Sequence, residues 1–231
     1  MKRFWKKVQV AEGEDGFRVT LDGRPLRTQG GAPQIVPTRE MAEALAEEWR
    51  AQGEDVDPGS FPLRDMADLA IDRIGPDRAS HIASLLRYAE TDTLCYRADP
   101  EEPLFRRQDD LWEPLMKAAE ERHGLRFERV SGIMHRAQPG ATLETLRAVL
   151  EQQGDFTLAA LATMAPLGAS LIVALAALED EADAARLFAS ANCEEDWQAE
   201  LWGTDHEAAA ARAARESAFV LAARFARLAR G

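Results

Sequence analysis

The first 37 positions alternate apolar and polar side chains, the period of a strand with one buried face. Val8 and Val10 alternate with polar neighbours, and Glu12 to Gly16 turns the chain. Phe17, Val19 and Leu21 then alternate with Arg18 and Thr20. Asp22-Gly23 follows at once and predicts a tight hairpin turn, because Gly accepts positive φ. Gly30-Gly31 loosens the next connection, and Ile35-Val36 is expected to form a last short strand before Pro37.

From Thr38 the period lengthens. Thr38 is a suitable N-cap, and Met41, Leu45 and Trp49 make one apolar stripe at four-residue spacing, with Glu43, Glu47 and Arg50 elsewhere. Gly53 is expected to end that helix, and Asp57-Pro58 and Phe61-Pro62 predict an irregular loop. Leu63 to Ile74 predicts a second helix with Met66, Ala70 and Ile74 on one face. Gly75-Pro76 is the clearest pair of helix breakers and a candidate domain boundary. Beyond it nearly everything has helical spacing. Ile82, Leu85, Leu86 and Ala89 form one stripe, and Leu104, Leu111, Trp112, Leu115 and Met116 another, closed by His123-Gly124. Leu125 to Met134 alternates weakly and predicts a short extended piece. Helices follow over Leu143–Leu150, through an uncharged stretch, up to Trp202, and from about Thr204 to Arg230, the last with Leu221, Phe225 and Leu228 on one face. The expected fold class is α+β: a small N-terminal α+β domain with antiparallel hairpins over residues 1–76, then a larger all-helical domain over residues 77–231.

The uncharged stretch runs 23 residues, Phe156 to Leu178, long enough to span a bilayer. Thr157, Thr163, Ser170 and many Ala keep it weakly hydrophobic, and Pro166 with Gly168 predicts a break into two buried helices instead. No membrane insertion is expected. The net charge of −12 argues against a nucleic-acid partner, since phosphate binding needs clustered Lys and Arg and the longest basic excess is Lys2, Arg3, Lys6 and Lys7. Cys95 and Cys193 stand alone in apolar surroundings and are expected to be reduced core residues in a reducing compartment.

Catalytic signatures are missing. The chain has no Gly-rich loop before Lys-Ser or Lys-Thr, so no bound nucleotide is expected, and it has no Gly-x-Ser-x-Gly elbow. His81, His123, His135 and His206 are scattered. Glu120-x-x-His123 is a single pair where a di-iron bundle needs two, so it is taken as an exposed helix end and no metal or other cofactor is expected. The acidic segment Glu194-Glu195-Asp196-Trp197-Gln198-Ala199-Glu200-Leu201-Trp202 is more informative. Cys193, Trp197 and Leu201 share one helical face, and Glu195 and Trp202 the opposite one. A helix with Trp on both sides cannot bury both against one neighbour. Either Trp202 packs on another helix while the carboxylates are solvated, or it faces a partner, as Trp beside carboxylates does at protein interfaces.

Several runs carry a resemblance. They include Arg3-Phe4-Trp5-Lys6, Gly16-Phe17-x-Val19-x-Leu21-Asp22-Gly23-Arg24-Pro25-Leu26, Glu48-Trp49-x-Ala51-Gln52-Gly53-Glu54, Tyr88-Ala89-Glu90-Thr91-Asp92-Thr93-Leu94-Cys95-Tyr96-Arg97, Gln108-x-x-x-Trp112, and Glu194 to Gly203. In order along nearly the whole chain, they resemble the chaperones of ATP synthase F(1) assembly that bind the α subunit. The resemblance implies the same two-part fold and a molecule that hydrolyses nothing. It also implies a role in covering the apolar surface of free α until β arrives. It assigns Glu194, Glu195, Glu200 and Trp202 to partner contact or to positioning the interface, and Trp49, Trp197 and Trp112 to structural support. Eukaryotic members work in the mitochondrial matrix and carry an import leader. This chain opens without one, which implies a bacterial, cytoplasmic member. Met134-His135-Arg136 departs from a more apolar family segment. Two rivals stay open: a helical interaction module with another client, and a metal-dependent enzyme built on the acidic helix and a histidine.

Overall fold

The computed structural model describes residues 2–132, 136–203 and 205–231. Met134 and His135 of the divergent segment, and Thr204, lie outside them. The chain forms two compact units. One gathers Met1–Arg78, Gly154–Ala160 and Arg224–Gly231; the other gathers Ala79–Gln153 and Leu161–Ala223.

In the first unit, β1 (Val8–Gly13) and β2 (Gly16–Leu21) pair antiparallel around a two-residue turn, with Val10 opposite Val19. β3 (Arg24–Pro25) adds a third strand. Asp22 and Gly23 take φ of 50° and 81°, the doubly left-handed pair of a type I′ turn. The Asp22 carboxylate accepts the backbone N–H groups of Lys7 (2.8 Å) and Lys6 (3.1 Å), which hold its pKa below the usual carboxylate range. The expected strand at Ile35-Val36 is reduced to one bridge, Val36 to Phe17, with both backbone bonds at 2.9 Å. Pro33 and Pro37 lack the N–H that would extend the ladder.

α1 (Arg39–Arg50) starts where Thr38 accepts the Met41 N–H at 3.1 Å. The same hydroxyl donates to the Leu228 carbonyl near the C-terminus. Met41 and Leu45 are buried, and Trp49 is half-buried against a core of Trp5, Leu21, Val56 and Phe61. The helix ends at Ala51, ahead of Gly53, because the buried Gln52 turns aside to organise the loop. Its amide donates to Ser60 Oγ (2.8 Å) and accepts from Asp57 N–H (2.9 Å). α2 (Pro62–Leu69) has no cap of its own; Glu48 accepts the N–H groups of Leu63 (2.7 Å) and Arg64 (2.9 Å) from α1. The second helix was expected to run as one piece to Ile74. It widens instead to a π turn over Ala70–Ile74, tightens to a 3₁₀ turn over Gly75–Asp77, and continues as α3 (Arg78–Glu90). The Gly75 N–H reaches back five residues to Ala70 O. Changing the helical pitch lets a Pro without an N–H pass and keeps the chain helical.

In the second unit, Asp92 follows α3, and β4 (Tyr96–Arg97) pairs in parallel with β5 (Val130–Ser131), the extended piece expected after Leu125. α4 (Pro103–His123) buries Gln108, Trp112, Met116 and Glu120, a stripe at four-residue spacing, and closes on Gly124 at φ 65°. α5 spans Gly140–Glu151. The uncharged stretch becomes α6 (Asp155–Gly168) and α7 (Leu171–Ala176), broken at Ala169, where φ is 46°, and restarted by Ser170 as N-cap. Among the described residues no helix is long and apolar enough to cross a membrane. The helix expected to reach Trp202 is two helices, α8 (Ala184–Ala191) and α9 (Cys193–Trp202), separated at Asn192. α10 (His206–Arg230) closes the chain. Its buried stripe is Phe219, Ala222, Ala223, Phe225 and Ala226, so Leu221 and Leu228 flank the buried face and do not centre it. Alanine lets neighbouring backbones approach closely, which a Leu-centred face would prevent.

Candidate functional site

α9 is held by polar side chains along its whole length. Glu194 accepts from the Nε2 of buried Gln108 in α4. Arg215 of α10 reaches both Glu195 oxygens (2.6 and 2.7 Å). Arg212, also in α10, pairs bidentately with Asp196 (2.7 Å twice) and stacks 4.9 Å from the Phe188 ring centre. Arg107 of α4 pairs bidentately with Glu200 (2.7 and 2.8 Å) and lies 5.7 Å from the Trp197 ring centre. Bidentate guanidinium–carboxylate pairs fix orientation as well as distance. The Arg107 guanidinium holds the Glu200 carboxyl below its usual range, and Glu200 in turn raises Arg107.

The apolar side of α9 fades along the helix. Cys193 is buried, and burial pushes its thiol up to about 12, so it is an inert core group. Trp197 is half-buried. Leu201 was expected on this buried face but is 56% exposed, and Trp202 is 78% exposed. Gly203 then turns the chain at φ 84° and ψ 163°. Residues 205–211, from Asp205 into the first turns of α10, are all exposed. Trp202 therefore leaves most of its surface in water and is not packed into the core of the described residues. The carboxylates are not simply solvated either, because Glu195 and Glu200 are paired within the chain. Among the described residues the only other large apolar side chain this exposed is Phe4, at 68%.

The supporting tryptophans sit as follows. Trp112 is fully buried, and its indole donates to the Ser190 carbonyl (2.7 Å) just before the α8–α9 break. Trp49 lies in the first unit, its ring 5.1 Å from Trp5 and 4.7 Å from Phe61. Sequence reasoning missed Arg107, Gln108, Arg212 and Arg215 as the groups that hold the acidic helix. Their partners lie 16 to 93 residues away, at no spacing a helix or strand rule can detect. The expected exposed helix end at Glu120 is also corrected. Glu120 is only 4% exposed; it accepts the Phe127 N–H at 2.8 Å and pairs with Arg129 and Arg126. These bonds hold its carboxyl low against the opposing effect of burial. Among the described residues no three His, Cys, Asp or Glu side chains are grouped to hold a metal ion.

A rigid helix that presents an exposed apolar corner is suited to gripping another polypeptide, and the comparisons with known proteins name a class of molecule that does so. Residues 2–120 match the model of the ATP12 chaperone protein, just over half the chain. This chain belongs to the ATP12 family, chaperones of F(1)-ATPase assembly. Two solved structures of Atp12 from Paracoccus denitrificans, one of them a point mutant, are 38% identical to it with a TM-score of 0.93. The match covers 99% of this chain and 97% and 98% of those chains. The Atu1473 protein of Agrobacterium tumefaciens is 40% identical with a TM-score of 0.92, over 100% of this chain and 86% of that one. The mitochondrial protein atp12 of Schizosaccharomyces pombe is 26% identical over 220 residues, covering 90% of this chain and 75% of its own. The family is one of chaperones and not of enzymes, and its work implies an ATP synthase subunit as partner.

Proposed function

We propose that this protein binds the free α subunit of ATP synthase and covers the apolar surface that later contacts β, leaving when β arrives. A free subunit with a large apolar patch is an aggregation liability, and covering it needs no chemistry. The chain does this in the bacterial cytoplasm, without nucleotide and without catalysis. Glu194, Glu195, Glu200 and Trp202 contact the partner or position the interface, Trp112 and Trp197 are structural supports in the same unit, and Trp49 is a structural support within the first unit.

The observation that carries this reading is the exposure of Leu201 and Trp202 on a helix otherwise fixed by paired carboxylates. Trp is among the residues most enriched at binding hot spots. The test is a pull-down with the isolated α and β subunits of ATP synthase from the same organism. Capture of α alone, reversed by adding β, is the expected outcome. A protein that ignores α, or that holds it in the presence of β, overturns the proposal and points to a different client.

A further inference from the structure

We infer that the contact with the client is made by the Leu201–Trp202 corner, that its complement is an apolar pocket with a basic rim, and that the paired α9 carboxylates position this corner without touching the client. The inference rests on the reading above and deepens it.

The carboxylates are already engaged. Glu195, Asp196 and Glu200 are taken up by Arg215, Arg212 and Arg107, and Glu194 by Gln108. A client residue that needed Glu195 or Glu200 would first have to displace an arginine from a close pair. Leu201 and Trp202 have given up nothing. They project at the C-terminal end of α9 with 56% and 78% of their surface in water. Burying side chains of that size favours binding most when their position is fixed before contact. The helix fixes it. Glu200 lies two residues before Trp202, and Arg107 holds that residue from α4 while stacking on Trp197 one turn earlier. Arg107 is thus a positioning residue for the corner.

The surroundings define the occupant. Asp205 and Glu207, which follow the engaged carboxylates of α9, are exposed and lie within five residues of Trp202 along the chain. The chain that leaves the apolar corner is therefore acidic, and the surface that fits it is an apolar pocket bordered by Lys or Arg.

The test uses the full chain and isolated α subunit, with affinity measured by calorimetry. Trp202→Ala is expected to weaken binding at least about ten-fold with an unchanged melting temperature. Arg107→Glu and Glu200→Arg, each alone, are expected to weaken it by a similar factor. The double variant, which rebuilds the pair in reverse, is expected to return to within about three-fold of wild type. A double variant as weak as either single change would show that the carboxylate itself meets the client. Trp202→Ala binding like wild type would remove the corner from the interface. Either result overturns the inference while leaving the proposed function standing. Wild type that fails to bind α sinks the proposed function and this inference with it.

Discussion

The carboxylate of Asp92 and the backbone N–H of Ile172 meet at 3.0 Å across 80 residues of sequence, in a place no water reaches. Asp92 caps two elements at once. It accepts Leu94 N–H (3.1 Å) in the turn that follows it, and Leu171 and Ile172 N–H at the start of α7, with the Ser170 side chain as a further donor. No Lys, Arg or His pairs with it among the described residues. Burial outweighs the donors and pushes its pKa up to about 6 from an ordinary 3.8. An acid raised in the folded state contributes stability that is full below the unfolded value and lost as pH rises through the folded one. The window is therefore about pH 4 to 6, worth roughly 3 kcal/mol when the full shift is spanned. Glu48, Asp68 and His123 also shift, so the comparison must be with a variant that lacks only this titration. Wild type should gain stability relative to Asp92→Asn as pH falls from 7.5 to 5, measured by thermal melts. A difference that stays flat over that range would show that Asp92 does not titrate there.

Much of the local structure was legible in the sequence because the signals were local. The Asp22-Gly23 turn, the Thr38 cap, the α4 closure on Gly124 and the break of the uncharged stretch each depend on residues within a few positions of each other. What was illegible is held by long-range partners. Nothing near Glu200 announces Arg107, 93 residues earlier. Nothing in Gly75-Pro76 announces a π turn, because the breaker pair marks where the pitch changes and not how the five residues before it wind. Nothing in the local pattern places residues 154–160 and the last turns of α10 in the same unit as the N-terminal sheet. Leu201 was misplaced because helical periodicity gives a face and says nothing about where the neighbouring helix stops.

Trp49 and Trp112 should respond differently to the same substitution. The Trp49 indole N–H is buried without a hydrogen-bond partner among the described residues, whereas the Trp112 N–H serves the Ser190 carbonyl. Trp49→Phe should therefore cost under about 1 kcal/mol, because only volume is lost. Trp112→Phe removes the donor as well and should cost about 2 kcal/mol. Trp49→Ala empties space between Trp5 and Phe61 and should cost about 3 kcal/mol. Urea titrations of the three variants give the order directly. Equal losses for the two Phe variants would mean that the indole hydrogen bond contributes nothing.

Gly203 has a conformation that only glycine adopts easily, at φ 84° and ψ 163°. A Cβ there would meet nothing within 4 Å, so any cost of Gly203→Ala is conformational and not steric. The expected effect is about 1–2 kcal/mol, drawn from the corner and not from the core. Hydrogen exchange should show faster amide exchange in the last turn of α9, including the Gly203 N–H that bonds Ala199 O at 2.8 Å. Exchange in α4 should not change. Uniform acceleration across both helices would mean that the turn supports the whole unit.

Glu195→Lys separates stability from assembly. Glu195 and Arg215 are each about two-fifths exposed, and their pair is two-pronged on one side only, so its loss should cost no more than about 1 kcal/mol. The substituted Lys would face Arg215, with Arg212 one turn earlier on α10, and would push α9 away from the helix that anchors it. Cys193 and Trp112 keep the start of α9 and its approach from α8 in the core, so the far-ultraviolet spectrum should be unchanged. Trp202, seven residues further on, would lose its fixed position, and affinity for the α subunit should fall by about ten-fold or more. Restoring the pair in reverse, with Arg215→Glu added, should recover most of that affinity. An unfolded Glu195→Lys protein would make this residue a determinant of the fold, and a folded one that still binds α normally would mean that the corner is held without it.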